Sequence, residues 1–239
     1  MEDIKNKLIE TFKGLQFNED KHLYTYYGVK LTPVSNELKK FYKPFDTNKM
    51  AFLSSKKLGI PTHELIKQWE EKKNASCTLG TETHFFAENW TPESIASNRM
   101  EESVCNYFKA LTEAKNDIIF LLKEFQMFSK QLLIAGTADR IDYSISSGKY
   151  VITDYKTNQD LYKNYKNQMM LKPFEHLLDC PLSKYKIQLS LYQLLFELTG
   201  EEVEAREIVW FKQDGTFQII ECEDLTPILK QYYYNEYLC

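Results

Sequence analysis

Apolar positions along the chain follow two regimes. Up to about residue 125 they recur mostly at helical spacing. Residues 36–42 predict a short helix, and 62–73 a second one capped by Thr62, with Glu64 and Ile66 near its start. Residues 76–89 and 98–124 predict two more helices, the last with Leu111, Ala114, Ile118, Leu121 and Leu122 as its apolar stripe. Near Phe125 the character changes, and residues 131–143 and 149–157 read as strands around a Ser-Ser-Gly turn. A loop rich in Lys, Asn and Met covers 158–181. A strong helix then opens at Ser183 or Lys184 and carries Ile187, Leu191, Leu194, Leu195 and Leu198, with Gly200 as its stop. Residues 207–212 and 216–221 read as a hairpin around Asp214-Gly215, and a last helix starts near Leu225 and Pro227. This order predicts an α/β (α+β) fold in which a mixed central β-sheet is flanked by helices, behind an N-terminal helical layer.

Composition narrows the function classes. Apolar residues make up 43% of the 239, enough for a sizeable core, so long-range disorder is not expected. No apolar run approaches the ~20 residues of a membrane helix, and the N-terminal stretch has no apolar core or small-residue cleavage site of a secretory signal. Five widely spaced cysteines, Cys77, Cys105, Cys180, Cys222 and Cys239, argue against a disulfide framework and for a reducing compartment. They form no CxxC pair, so neither a zinc site nor an iron–sulfur cluster is expected. The net charge of −4 excludes a generic basic coat for nucleic acid but leaves room for a cleft with a local positive strip. No phosphate-cradling glycine loop, GxSxG elbow or HExxH pair is present, so no bound nucleotide is expected.

The residues richest in chemistry are Gly136-Thr-Ala-Asp139-Arg-Ile-Asp142 and Tyr150-Val-Ile-Thr-Asp154-Tyr-Lys156-Thr157. Strand side chains alternate between faces, so Ile152, Asp154 and Lys156 share one. A two-residue loop at Ser146-Ser147 pairs residue 145 with 148 and thereby sets Asp139 directly opposite Asp154. Two carboxylates so placed repel each other unless a cation lies between them, and a divalent metal with oxygen ligands resolves the conflict.

GxxD followed by acid-x-Lys on the next strand resembles the PD-(D/E)XK nuclease superfamily, and GTADRID with DYKT resembles its RecB-like, phage exonuclease-like branch. That branch adds a helix histidine after Gly-Thr, matched by Gly80-Thr-Glu-Thr-His84, and a Gln-x-x-x-Tyr on the later helix, matched by Gln188-Leu-Ser-Leu-Tyr192. The resemblance implies a restriction-endonuclease-like core and one nuclease domain over residues 1–239. Within it, 1–75 is a helical lead-in, 76–221 the catalytic core and 222–239 a C-terminal helix.

By this resemblance Asp139, Asp154 and Lys156 are catalytic, and His84, Asp139, Asp154 and the Tyr155 backbone carbonyl hold Mg²⁺ or Mn²⁺. The imidazole favours Mn²⁺. Lys156 positions the attacking hydroxide or stabilises the charge growing on phosphorus. Gln188, Tyr192, Glu124, Glu88 and Arg140 are candidates for supporting or substrate-binding roles. Tyr192 reads equally as core, and Glu88 as a partner of the His84 imidazole or a solvated helix acid. Lys163, Lys166, Lys172, Lys184 and Lys186, interleaved with Tyr162, Tyr165, Phe174 and Tyr185, suit a single-strand path. The expected activity is exonucleolytic hydrolysis of DNA in recombination, repair or phage replication. Its setting is the cytoplasm of a bacterium or phage-infected host, with a homo-oligomer or a partner protein supplying processivity. The alternatives are a catalytically idle nucleic-acid-binding module and a structure-specific endonuclease.

Overall fold

A computed structural model describes residues 2–19, 21–114 and 117–237. In chain order the elements are α1 (Glu2–Thr11), β1 (Leu15–Asn18), β2 (Leu23–Tyr26), β3 (Val29–Pro33), α2 (Val34–Glu37), a 3-10 turn (Leu38–Phe41), α3 (Thr47–Leu58), α4 (Thr62–Glu88) and α5 (Arg99–Glu113). There follow β4 (Ile118–Ser129), β5 (Ile134–Ser144), β6 (Tyr150–Lys156), α6 (Pro181–Glu197), β7 (Val203–Phe211), β8 (Phe217–Glu221) and α7 (Thr226–Tyr237). Among the described residues this is a mixed sheet of eight strands flanked by seven helices. It is the architecture of the restriction-endonuclease-like fold. No helix among the described residues is long and apolar enough to cross a membrane.

The sheet follows the order β1-β2-β3-β5-β6-β7-β8, with β4 on the other edge of β5. One face is closed by α1, α2, α6 and α7 around a core that includes Leu8, Phe12, Ile141, Ile152, Ile187 and Phe196. A smaller cluster on the other face joins Ala87 of α4 and Met100, Val104 and Tyr107 of α5 to Tyr155, Val209 and Phe211. Asn98 starts α5 by accepting the Glu101 N–H at 3.0 Å, which satisfies one of the donors a helix start leaves free. Pro181 starts α6 at a position where a missing N–H costs nothing.

Three expectations need correction. The N-terminal layer is not all helical, because residues 15–33 form the antiparallel meander β1–β2–β3. Thr62–Glu88 is one continuous helix rather than two, and Thr62 does not cap it: Pro61 precedes it with no side-chain cap. The helix expected over 98–124 ends at Glu113, and Ile118–Ser129 is a strand. A bulge between Phe120 and Leu122 lets the adjacent Leu121 and Leu122 both pack against the core, which breaks the alternation expected of a strand.

The β5–β6 register is the expected one: Arg140 pairs with Thr153, Ile141 with Ile152 and Asp142 with Val151. The loop differs. The Ser144 N–H bonds the Lys149 carbonyl at 2.9 Å, so four residues make the connection, with Gly148 at φ +70°. Symmetric lengthening of the loop leaves the face parity unchanged.

Candidate metal and catalytic site

The strand pairing itself creates the site. β4 pairs with β5 along nearly all of β5. The opposite edge of β5 is shared: β3 takes Ile134 and Ala135, and β6 takes Arg140 to Tyr143. Gly136 to Asp139 therefore lie where β3 and β6 diverge, with that edge unpaired. Asp139 uses the gap. Its Oδ2 accepts the Tyr155 N–H at 2.5 Å, a donor that the end of the β5–β6 ladder leaves without a strand partner.

His84 of α4 brings its Nδ1 to 3.3 Å from Asp139 Oδ1. Glu124 lies between Lys123 and Phe125, whose partners are Arg140 and Ala138, so it stands opposite Asp139 on the other side. Ligand atoms of His84, Glu124 and Asp139 all lie within 4.8 Å of one another. Glu124 adopts φ +44° inside a strand, a left-handed backbone that costs a non-glycine residue about 1–3 kcal/mol and tends to be retained where a site needs it. Burial and the neighbouring Asp139 charge push the Glu124 carboxyl up to about 7.

Asp154 and Lys156 form an ion pair at the same cavity. Burial raises the Asp154 carboxyl to about 6 even though Lys156 opposes the shift. Burial works against the Lys156 charge, but Asp154 outweighs it and holds the ammonium protonated. For His84, burial favours the neutral ring, yet Asp139 prevails and the imidazole pKa is raised. Asp139 is held below the ordinary carboxylate value: burial raises it, and His84, Lys156 and the Tyr155 N–H together outweigh that. The donor set of two carboxylates and an imidazole fits a small divalent cation or Mn²⁺. Beyond burial, the repulsion from Asp139 that helps raise the Glu124 pKa is what such a cation would relieve.

The glycine of GxxD has a steric role. A Cβ on Gly136 would stand 2.6 Å from Tyr192 Cε1 and 3.0 Å from Val34 Cγ2. Only a bare Cα lets the Tyr192 ring lie against β5, where its hydroxyl accepts from Gln188 Nε2 at 2.8 Å. Tyr192 is thus both core and cavity wall. Glu88 also lines the cavity.

Arg140 does not join the site. It is buried, donates from Nε to both Asp142 oxygens at 2.8 and 2.7 Å, and lies over the Phe120 ring. Its alternation with Asp139 turns it to the opposite face of β5. Lys163, Lys166, Lys172, Lys184 and Lys186 line neither cavity at the site; Lys184 pairs with Asp179 at 2.8 Å and Lys186 with Glu223 at 3.5 Å. A cavity of about 570 Å³ holds the acids, and a second of about 630 Å³ is lined by Lys72, Lys73 and Tyr185. The two meet at His84 and Lys156.

Several contributors were not legible as site residues. Tyr185 lies under Lys156, with the ammonium 4.4 Å from its ring centre. Tyr24 bonds Thr137 Oγ1 at 2.8 Å, and Phe17 and His22 line the same cavity as the acids. Aromatic content in residues 17–24 is a sequence signal for them. Cys77 is exposed and Cys105, Cys180 and Cys222 are buried thiols; Cys239 lies outside the described residues.

A sequence model of the PD-(D/E)XK nuclease superfamily matches residues 38–233. No curated protein matches the chain significantly.

Proposed function

This chain belongs to the PD-(D/E)XK nuclease superfamily, whose members are divalent-metal-dependent phosphodiester hydrolases, and we propose that it is a DNA exonuclease. The observation that carries the reading is the meeting, in one cleft, of the His84–Glu124–Asp139 cluster with the Asp154–Lys156 pair. A catalytically idle module has no need for a strained Glu124 beside a second acid, so a working site is favoured over that alternative.

In this reading His84, Asp139 and Asp154 hold the cation, with the Tyr155 carbonyl beside them and Glu124 as a further carboxylate. The cation supplies Lewis acidity toward a phosphoryl oxygen and lowers the pKa of water. Lys156, charged and fixed by Asp154 and the Tyr185 ring, orients the attacking water and offsets the negative charge that grows on phosphorus. Tyr192 and Gln188 fix the cleft wall, and Glu88 supports His84 from the next helical turn. Lys72 and Lys73, on the far side of Lys156, take the phosphates that continue along the strand. Mg²⁺ and Mn²⁺ both suit the oxygens, and His84 tips the preference toward Mn²⁺. The whole of residues 1–239 acts as one nuclease domain in the cytoplasm, in recombination, repair or phage replication, and a second copy or a partner protein supplies processivity.

The test is degradation of linear and circular DNA, single- and double-stranded, with Mn²⁺, Mg²⁺ or EDTA. We expect metal-dependent loss of linear DNA alone, reduced by about 10²–10³-fold in Lys156→Ala. Cleavage of circles would replace the exonuclease with an endonuclease. Activity that survives Lys156→Ala would remove the lysine from the mechanism.

A further inference from the structure

The cavity that contains the acids is built unevenly. Part of its lining is His84, Asp139, Asp154 and Lys156. Another part is aromatic: Phe17 of β1, Tyr24 of β2 and His22 from the turn between them. Phe17 stacks on Tyr24 with ring centres 4.4 Å apart and 24° between planes, and His22 meets the Phe17 ring edge-on at 5.4 Å. The Tyr24 hydroxyl is tied to Thr137, two residues before Asp139, at 2.8 Å. The aromatic wall is therefore fixed to the strand that carries the acids. Tyr24 is buried, whereas Phe17 is half-buried and His22 exposed, so the last two have faces to offer a ligand.

Charge says what that ligand presents. Among the described residues lining this cavity Lys156 is the one lysine, and there is no arginine. The same lining carries Glu19, Glu88 and Glu124. Backbone phosphate is repelled there, while a neutral ring is accepted. The lysines lie in the other cavity, beyond Lys156. A strand crossing the site would place phosphate over Lys72 and Lys73, the scissile group at Lys156, and a base against the aromatic wall. Residues 17–24 lie outside the span 38–233 that the family model matches.

We propose that Phe17 and His22, backed by Tyr24, form a stacking subsite for one unpaired nucleobase adjacent to the scissile phosphate, which selects single-stranded or frayed ends. This rests on the nuclease reading for its register and on the aromatic geometry for its chemistry. A paired base offers no free face, so duplex must open before it enters. Base–aromatic stacking is sequence-tolerant, so the subsite reads the presence of a base rather than its identity.

The test moves a single abasic site along a linear single-stranded oligonucleotide. Hydrolysis with Mn²⁺ is followed alongside equilibrium binding in EDTA of the same strands carrying 2-aminopurine, whose fluorescence reports stacking. One position next to the cleaved bond should lose on the order of 5- to 150-fold when its base is absent. Phe17→Leu keeps the apolar volume and should abolish that position dependence and the local fluorescence quenching. Phe17→Trp should restore both. A flat abasic scan, or quenching untouched by Phe17→Leu and by His22→Ala, overturns the subsite and leaves the nuclease reading standing. Position-specific quenching without metal-dependent hydrolysis overturns the nuclease reading and keeps the subsite. Failure to bind any strand overturns both.

Discussion

Placing a methyl group on Gly136 is expected to unseat a buried tyrosine. The added Cβ would lie 2.6 Å from Tyr192 Cε1 and 3.0 Å from Val34 Cγ2. Ordinary carbon–carbon contact is about 3.5–4.0 Å, so the ring must retreat by roughly 1 Å. It has little freedom to do so, being 4% exposed and held at its hydroxyl by Gln188. Overpacking of this kind costs about 1–3 kcal/mol, and loss of the Gln188 bond adds about 0.5–1.5 kcal/mol. Gly136→Ala should therefore lose about 1.5–4.5 kcal/mol, with a fall in Tm of roughly 2–4 °C per kcal/mol for a chain of this length. Urea unfolding followed by circular dichroism reads the first quantity. A double-mutant cycle with Tyr192→Leu, which removes the opposing ring, should return a coupling of about 0.5–3 kcal/mol. A penalty below about 0.5 kcal/mol, or an equal penalty with and without the Tyr192 ring, would refute the steric account of the GxxD glycine.

Two further outcomes concern the charged groups. Without metal, the Glu124 carboxyl titrates near 7, above its ordinary 4.5. The folded state then binds more protons than the unfolded one between those values, so this group's contribution to stability falls as pH rises through that window. The same proton competes with a cation, so Mn²⁺ affinity should rise between about pH 6 and about pH 8, and Glu124→Gln should flatten the rise. Calorimetric titrations at several pH values check this, and an unchanged slope in the variant would contradict it. Tyr185→Leu removes the ring under Lys156, a contact of about 0.5–2 kcal/mol. It should lower kcat with little change in KM, whereas Tyr185→Phe should retain most of the rate; equal losses in both variants would point to the Tyr185 hydroxyl and its bond to Asn158 instead.

The parts of the site that were legible in the sequence are those fixed by local periodicity. Strand alternation put Asp154 and Lys156 on one face, and a turn centred between Ser146 and Ser147 gave the β5–β6 register even though its loop is longer than expected. Both the Gly80–His84 and Gln188–Tyr192 stretches are helical, and His84, Gln188 and Tyr192 line one cavity. What was not legible depends on long-range pairing. Glu124 read as a supporting candidate rather than a member of the central cluster, because its place opposite Asp139 comes from β4 lying along β5, and the β4 bulge disguised that strand as a helix. The meander of β1–β3 consists of strands four or five residues long, too short to announce themselves without their tertiary partners. The aromatic wall was hidden with it. Arg140 was a candidate for a supporting or substrate-binding role, but strand alternation sends it to the face opposite Asp139, and Asp142 neutralises it there.

The central claim is that His84, Asp139 and Asp154, with Glu124 beside them, hold a divalent cation. Calorimetric titration of Mn²⁺ into the protein and into Asp139→Asn tests it most directly, with circular dichroism to establish that both are folded. The asparagine keeps the shape and removes the charge at the centre of the cluster. The account predicts saturable binding to the unchanged protein, weakened by more than about tenfold in the variant. Equal affinities in the two folded proteins, or no binding to either, would contradict it.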